Sequence, residues 1–209
     1  EQAGKRYWYD DRIPQAEALA LLQYFSTMVD DPVPSLYAVP GAKGYYVVSS
    51  YDTQFADTDN GRRLYLVRKG PGGYEVIDRT KGAGDSYVLK PVFFLGRGKT
   101  LILAEIGTEY CWGLLVYEIR GKRLFFLGGL DATVEGEFDA ADPTPFAAVK
   151  YANGRWRVEF SHDLVLDAGG LKEQTIERTG KQPIVFEHDG KRFTPKAGTY
   201  TSSGPSRSR

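Results

Sequence analysis

The sequence predicts an all-β protein of antiparallel strands with one α-helix near the N-terminus. Short apolar runs rich in aromatic and β-branched residues recur along the chain, and turns of a few residues join them. Two of these turns are the dipeptides Asn153-Gly154 and Asp189-Gly190, which tolerate positive φ. The 24 glycines and 11 prolines fall mostly between the apolar runs. Consecutive hairpins of this kind predict an antiparallel meander.

One segment has helical character. Pro14 suits the first turn of a helix, and alanine, leucine and other good helix formers follow it with apolar residues at three- and four-residue spacing. The proline-bearing stretch 30–34 ends this pattern, because proline lacks an amide donor and restricts the residue before it. We therefore expect a helix over residues 14–28.

Strands are predicted on both sides of an acidic, proline-bearing connection at residues 135–145. Before it they span residues 36–39, 45–51, 63–68, 74–78, 87–95, 100–106, 112–119 and 124–131. After it they span residues 146–151, 155–161, 164–166, 184–188 and 192–194. The hairpins share a pattern but not residue identity, so no repeat array is predicted.

The pattern leaves open how the meander closes. A sandwich or a strongly curved sheet is favoured, barrel and propeller-like closure are the alternatives, and the helix is expected to cover one face or edge. A chain of 209 residues with 42% hydrophobic content can build one substantial core, so residues 1–197 are predicted to form a single domain. Residues 198–209 have almost no apolar content and are expected to be a flexible tail.

Composition narrows the possible partners. Lys plus Arg (27) equals Asp plus Glu (27), so no net field directs the protein to a polyanion, and no nucleic-acid partner is expected. Basic pairs at predicted turns, such as Lys122-Arg123, are interpreted as solvated charges that protect strand edges, with a local basic patch as the alternative. No apolar run approaches the length of a transmembrane helix.

The expected location is periplasmic or secreted. The chain starts at Glu1 with a polar segment, which fits a mature protein whose leader has been removed and also fits a trimmed chain. The single cysteine, Cys111, excludes an intrachain disulfide and leaves the redox compartment undecided.

The first candidate site is an acidic loop at residues 49–63. It offers the carboxylate and amide ligands that Ca²⁺ prefers, but Gly61 falls at position five from Asp57, and no glutamate closes the loop at position twelve, as an EF-hand requires. A long hairpin connection with aspartates capping backbone amides is favoured, and Ca²⁺ is the alternative. The polar residues concerned are Asp52, Asp57, Asp59 and Asn60. No cofactor is predicted.

The second candidate site, residues 107–112, holds a thiol, a carboxylate, a phenol and an indole between two predicted core strands. Nucleophilic catalysis by Cys111 would need a histidine base, and His162 and His188 lie far away in sequence. A buried, inert cysteine is therefore favoured. The segment is instead predicted to be a recognition loop, because aromatic side chains with a polar tip commonly anchor interfaces and sugar platforms. Its residues are Glu109, Tyr110 and Trp112.

Other catalytic arrangements lack support. Ser161, His162 and Asp163 are adjacent at the end of a predicted strand, so their side chains would alternate between faces and form no relay. Carboxylate pairs such as Glu105 with Glu109 are not defined in space by the sequence. The glycine-rich turns lack the spacing of a P-loop. No catalytic residue is predicted.

The favoured function is that of a non-enzymatic, protein-binding β domain, in its most specific form a bacterial envelope inhibitor or immunity-type protein against a hydrolase or toxin. One alternative is a glycan or small-ligand binding module that uses Tyr110, Trp112 and Trp156. The other is a hydrolase that uses Glu105, Glu109 or His162. An acidic contact surface is predicted, because an inhibitor of a basic enzyme often presents carboxylates to its target. Its residues are Asp52, Asp57, Asp59, Glu135, Glu137 and Asp139.

Overall fold

The computed structural model of the chain describes residues 8–29, 31, 34–52, 60–84, 86–107, 112–135, 140–166 and 174–203. Most of these residues lie in antiparallel β-strands, and one α-helix lies near the N-terminus. The predicted fold class is therefore confirmed. Within the described residues, no helix is long and apolar enough to cross a membrane.

The first sheet has five strands in sequence order, of which the first two pair in parallel and the others antiparallel. Its elements in chain order are β1 Trp8–Tyr9, α1 Gln15–Ser26, β2 Ser35–Ala38, β3 Tyr45–Asp52, β4 Gly61–Gly70 and β5 Gly73–Arg79. Pro14 directly precedes α1 with φ −54° and ψ 137°, an extended conformation that caps the helix. The helix ends two residues before the predicted boundary.

Helix α1 covers one face of the first sheet, as expected. Its apolar side packs on that face, where the rings of Phe25 and Tyr65 meet edge to face at 5.0 Å. Glu17 accepts hydrogen bonds from the Tyr46 hydroxyl and the Lys69 ammonium group. The helix is thus fixed to β3 and β4 by apolar and polar contacts. Its buried residues are Ala18, Leu21, Leu22 and Phe25.

The second sheet is an antiparallel meander of four strands. They are β6 Val88–Gly96, β7 Lys99–Gly107, β8 Trp112–Arg120 and β9 Arg123–Leu130. Successive side chains point to opposite faces, so Ile102 packs on the first sheet while Leu103 faces the later strands. Each face closes a separate apolar core.

The remaining strands form two sheets around the core on the Leu103 face of the second sheet. Trp156 and Phe160 help to fill this core. The strands are β10 Ala132–Glu135, β11 Ala140–Ala141, β12 Ala147–Ala152, β13 Arg155–Phe160, β14 Leu164–Leu166, β15 Gln174–Arg178, β16 Ile184–His188, β17 Phe193–Pro195 and β18 Tyr200–Ser203. One sheet has the order β11-β10-β14-β15-β18 and the other the order β12-β13-β16-β17. Sheets stacked face to face are the arrangement of a sandwich. Here one core lies between the first and second sheets, and another lies between the second sheet and the later strands.

Two local predictions need correction. Tyr200–Ser203 pairs with β15, so the prediction of a flexible tail from residue 198 is wrong for these residues. Backbone pairing and the packing of Tyr200 on the core order this segment despite its low apolar content. The predicted connection at residues 135–145 contains β11, which pairs with β10. Residues 204–209 lie outside the described residues.

The stacked sheets have two different ends. The turn end is formed by the short connections at residues 41–44, 69–73, 96–99, 120–123 and 152–155. The loop end, opposite to it, is where β3 and β7 finish and where β4 and β8 begin. Most predicted site residues belong to connections that leave the loop end.

Candidate functional site

A chain of hydrogen bonds joins the strand ends at the loop end. Arg62, near the start of β4, donates from Nε to the carbonyl of Tyr87 at 2.9 Å. The amide of Tyr87 in turn donates to the carbonyl of Gly107, the last residue of β7, at 3.1 Å. Gly107 is opposite Trp112, the first residue of β8. The connections after β3 and after β7 therefore leave from neighbouring positions.

The strand β11 reaches the same end. Asp142, which directly follows β11, lies 3.7 Å from the ammonium group of Lys90. Lys90 is opposite Glu105 on β7. The connection between β10 and β11 therefore begins and ends close to those after β3 and β7. We call the side chains of Tyr87, Lys90, Glu105, Trp112 and Asp142 the loop-end cluster.

An aromatic pair forms one part of the loop-end cluster. The Trp112 ring lies over Gly107, where an added Cβ would come within 2.7 Å of it. Tyr87 packs against Trp112 edge to face, with ring centroids 6.2 Å apart, and remains 53% exposed. Tyrosine and tryptophan combine a large apolar area with a polar tip, which suits them to anchor an interface.

Two carboxylates form the other part. Burial raises the pKa of Glu105, the charge of Asp142 adds to this rise, and Lys90 opposes it. Asp142 accepts hydrogen bonds from the amide and hydroxyl of Thr144 at 2.8 and 2.7 Å, which holds the turn after it. The two carboxylates thus lie near each other with Lys90 as their nearby cation.

The two arginines at the start of β4, Arg62 and Arg63, are directed into the protein beneath this surface. Asp31 accepts hydrogen bonds from the Ser50 hydroxyl and the Tyr51 amide, and the Arg62 guanidinium lies 3.6 Å from it. Arg63, on the face covered by α1, is fully buried. These basic side chains therefore add little positive charge to the exposed loop end.

The predicted site residues are only partly described. Trp112 is described with its side chain, whereas Asp52 and Glu135 are placed by their backbone as the last residues of β3 and β10. The others lie outside the described residues: Asp57, Asp59, Glu109, Tyr110, Glu137 and Asp139. Cys111 also lies outside them. The predicted Ca²⁺ alternative falls mostly in this part of the chain, and no group of three or more His, Cys, Asp or Glu among described residues could hold a metal ion.

Sequence reasoning missed Tyr87 and Asp142 as site residues. The sequence identifies Tyr87 only as the start of a strand and Asp142 only as part of a connection. In the sequence, Glu105 is considered together with Glu109. Among the described residues, the carboxylate whose charge acts on Glu105 is that of Asp142. No local signal identifies these contacts, because they arise between strands that are distant in sequence.

The glycan alternative loses one of its three aromatic residues. Trp156 is only 2% exposed, and its indole donates to Glu118 in the interior, near Gly96 at the turn end. Trp112 lies at the opposite end of the sheets, so the two indoles cannot form one open cleft. A glycan site would have to use Trp112 with Tyr87 or with residues outside the described part.

The hydrolase alternative gains a raised pKa at Glu105. A cavity of about 320 Å³ is lined by residues 145–148, by Glu159 and Ser161 and by Lys181 and Pro183, but not by Glu105. His162 lies near it and stacks on Phe146 with ring centroids 4.4 Å apart. Ser161 donates to the Phe146 carbonyl, and Asp163 accepts from Arg178. The three adjacent residues 161–163 are thus engaged separately and form no relay.

The loop-end cluster is therefore the candidate site, and its chemistry is that of a recognition surface made of two aromatic rings, two partly buried carboxylates and the exposed ammonium group of Lys90. No protein-family model matches the chain, and no significant similarity to a curated protein or to a solved structure was found.

Proposed function

We propose that the protein is a non-enzymatic binding domain whose loop end recognises a positively charged surface of a protein partner. The observation that carries this proposal is the exposed Tyr87 ring packed on the half-buried Trp112 ring, at the same end of the sheets as the carboxylates of Glu105 and Asp142. Interfaces are commonly anchored by a few aromatic residues, while charges around them set partner choice and association rate.

The composition of the three adjoining connections supports the sign of the partner's charge. Residues 53–59, 108–111 and 136–139 contain no lysine or arginine. They contain the carboxylates of Asp57, Asp59, Glu109, Glu137 and Asp139. The described strands that flank these connections end at the loop end, so we expect a partner to meet an excess of negative charge there, with Lys90 as an exposed cation.

The most specific form of the proposal is an inhibitor or immunity-type protein of the bacterial envelope, periplasmic or secreted, that acts against a hydrolase or toxin. A basic enzyme would match the acidic loop end in charge. The aromatic pair would supply the desolvated contact that charge alone does not provide.

Affinity capture with matched variants tests this proposal. The tagged protein would be used to isolate partners from its native envelope at moderate salt, and retained proteins would be identified by mass spectrometry. The loop-end variant neutralises one carboxylate in each connection: Asp57→Asn, Glu109→Gln and Asp139→Asn. The control neutralises three exposed carboxylates elsewhere: Asp11→Asn, Glu75→Gln and Glu177→Gln.

We expect the wild type and the control to retain one stoichiometric partner and the loop-end variant to lose most of it. Affinity for the purified partner should also depend less on salt in the loop-end variant. Equal retention by both variants would remove the loop end as the contact surface.

A hydrolase is the second candidate function, favoured by the raised pKa of Glu105. A carboxyl group with a raised pKa is suited to general acid catalysis. Solubilisation of cell-wall polymer by the purified protein, with Glu105→Gln as the comparison, tests this alternative. Activity that disappears in Glu105→Gln would favour the hydrolase over the binding domain.

A further inference from the structure

The turn end carries the opposite charge to the loop end. Its five turns contain no aspartate or glutamate. The basic residues of these turns are Lys43, Lys69, Arg97, Lys99, Arg120, Lys122, Arg123 and Arg155. Although the net charge of the whole chain is zero, the turns at one end of the molecule therefore carry only basic charged residues.

Direct contacts hold these turns together. The amide of Lys69 donates to the carbonyl of Gly44 at 2.8 Å. Ala42, Gly98 and Gly121, from three different turns, line one small cavity. The turn at residues 152–155 lies near the turn at residues 96–99. The Lys99 ammonium group is 4.3 Å from the centroid of the Tyr151 ring, which lies on β12 next to the turn at 152–155. The five turns therefore lie close together, and their basic side chains share this end of the molecule.

Only part of this positive charge is neutralised within the protein. Lys99 and Arg120 share the carboxylate of Glu118, and Lys69 pairs with Glu17. Five exposed residues make no ion pair with any described residue: Lys43, Arg97, Lys122, Arg123 and Arg155. Their charges are available to an external anion.

An exposed apolar side chain accompanies the basic patch. Leu95 is 59% exposed and lies two residues before Arg97. Its terminal methyl would be 3.9 Å from a Cβ built on Gly41, so it lies between two of the basic turns. Basic residues around a protruding leucine provide the two attractions that hold a protein on an anionic bilayer, electrostatic and hydrophobic.

We propose that the turn end binds an anionic lipid surface and anchors the protein peripherally to a membrane. The five short turns lie at one end of the stacked sheets, an arrangement that suits a broad surface better than a groove. The ring of Phe125 already lies against two cations of this end, the guanidinium groups of Arg120 and Arg123, at 4.9 and 5.4 Å from its centroid.

This inference goes beyond the proposed function and does not depend on it. The turn end and the loop end lie at opposite ends of the sheets, so a protein bound to a membrane through its turns would direct its loop-end cluster away from the bilayer. Partner binding and membrane binding could then occur together.

Vesicle flotation tests the proposal directly. The full chain would be mixed at low ionic strength with vesicles of phosphatidylcholine alone or of phosphatidylcholine and phosphatidylglycerol in equal parts. The test variant combines Arg97→Asn with Lys122→Gln. Asparagine is chosen at position 97 because Arg97 has φ 49°, which asparagine tolerates. The control removes two exposed lysines outside the five turns, Lys81→Gln and Lys181→Gln.

We expect the wild type and the control to float with the anionic vesicles and to stay in solution with neutral ones. The test variant should bind at least about tenfold more weakly. Leu95→Ser should also weaken binding but leave its salt dependence unchanged, because this residue contributes through apolar contact. Circular dichroism of each variant would verify folding.

Three results would overturn the proposal. The first is failure of the wild type to float with anionic vesicles. The second is equal binding of the test and control variants. The third is evidence that the turn end binds another partner. In that case the wild type would bind a polynucleotide or self-associate without binding membranes, and the test variant would lose that binding or self-association.

Discussion

The indole N–H of Trp156 on β13 donates a 2.8 Å hydrogen bond to the carboxylate of Glu118 on β8. Lys99 and Arg120 donate to the same carboxylate at 3.1 and 3.0 Å, and Glu118 is only 1% exposed. Burial raises the pKa of Glu118, but the hydrogen bonds from Arg120, Trp156 and Lys99 outweigh it, so the pKa lies below its ordinary value. This contact joins two sheets at the margin of an apolar core.

The first prediction concerns the hydrogen bond itself. Trp156→Phe should lower the free energy of unfolding by about 1–2 kcal/mol through loss of this bond, in addition to the cost of the smaller ring. Urea denaturation of the single variants and of the double variant with Glu118→Gln would separate the two effects. Because the amide introduced by Glu118→Gln accepts only a neutral hydrogen bond, Trp156→Phe should cost less in that background. Equal costs in both backgrounds would show that the bond contributes nothing.

The second prediction is a pH dependence of stability that originates at Glu118. Its pKa is lowered in the folded state, so its contribution is present above the pKa of the unfolded chain and is lost as the pH falls through the folded value. The difference in unfolding free energy between wild type and Glu118→Gln should therefore be largest near neutral pH and shrink as the pH falls through the folded-state pKa of Glu118. Urea titrations at several pH values would measure it, and a constant difference would contradict the assignment.

The third prediction has the opposite sign and concerns Glu105. Its pKa is raised, chiefly by burial, so the folded state holds the proton more tightly, and stability is lost as the pH rises through the folded pKa. Glu105→Gln should raise the unfolding free energy at neutral pH by less than about 1 kcal/mol, because the side chain is only half-buried. The gain should disappear under acid conditions. A loss of stability at neutral pH would show that attraction to Lys90 outweighs burial.

The fourth prediction concerns Gly61 at the start of β4. Its φ is 102°, and an added Cβ would lie 1.8 Å from the carbonyl oxygen of Gly84. Gly61→Ala should lower the unfolding free energy by at least about 3 kcal/mol, because both backbone strain and backbone overlap must be relieved.

The control for this variant is Gly72→Ala, in the turn between β4 and β5. No atom lies within 4 Å of its added Cβ, and its φ is outside the left-handed region. This change should alter the unfolding free energy by less than about 1 kcal/mol. Thermal unfolding of both variants would check the contrast, and similar melting temperatures would contradict it.

The fifth prediction links Gly107 to recognition. Gly107→Ala would place a methyl group 2.7 Å from the Trp112 ring and displace it from its position beside Tyr87. We expect an altered tryptophan emission spectrum and weaker binding of the captured partner, with the acidic residues unchanged. Leu19→Ala, on the exposed side of α1, is the control and should leave both properties intact. Unchanged affinity for the partner in a Gly107→Ala protein with displaced Trp112 would separate the aromatic pair from recognition.

Local patterns in the sequence were sufficient for most secondary structure. The Asn153-Gly154 turn forms as predicted, with φ 53° and 77°, and the strands on either side of it end within a residue of the expected positions. Turn chemistry and side-chain alternation act over a few residues, so they can be recognised without knowledge of the fold. The strand at Tyr200–Ser203 was missed because its order comes from pairing with β15, not from its own composition.

The candidate site was beyond the reach of such patterns. The sequence by itself determined the antiparallel hairpins, the single helix and the acidic and aromatic character of the connections. Only the tertiary structure decided that Arg62, Tyr87 and Gly107 are linked, that Glu105 lies near Asp142, and that the basic turns share one end. The physical reason is that sheet stacking is set by contacts between side chains far apart in the chain, whereas turns and strands are specified by their immediate neighbours.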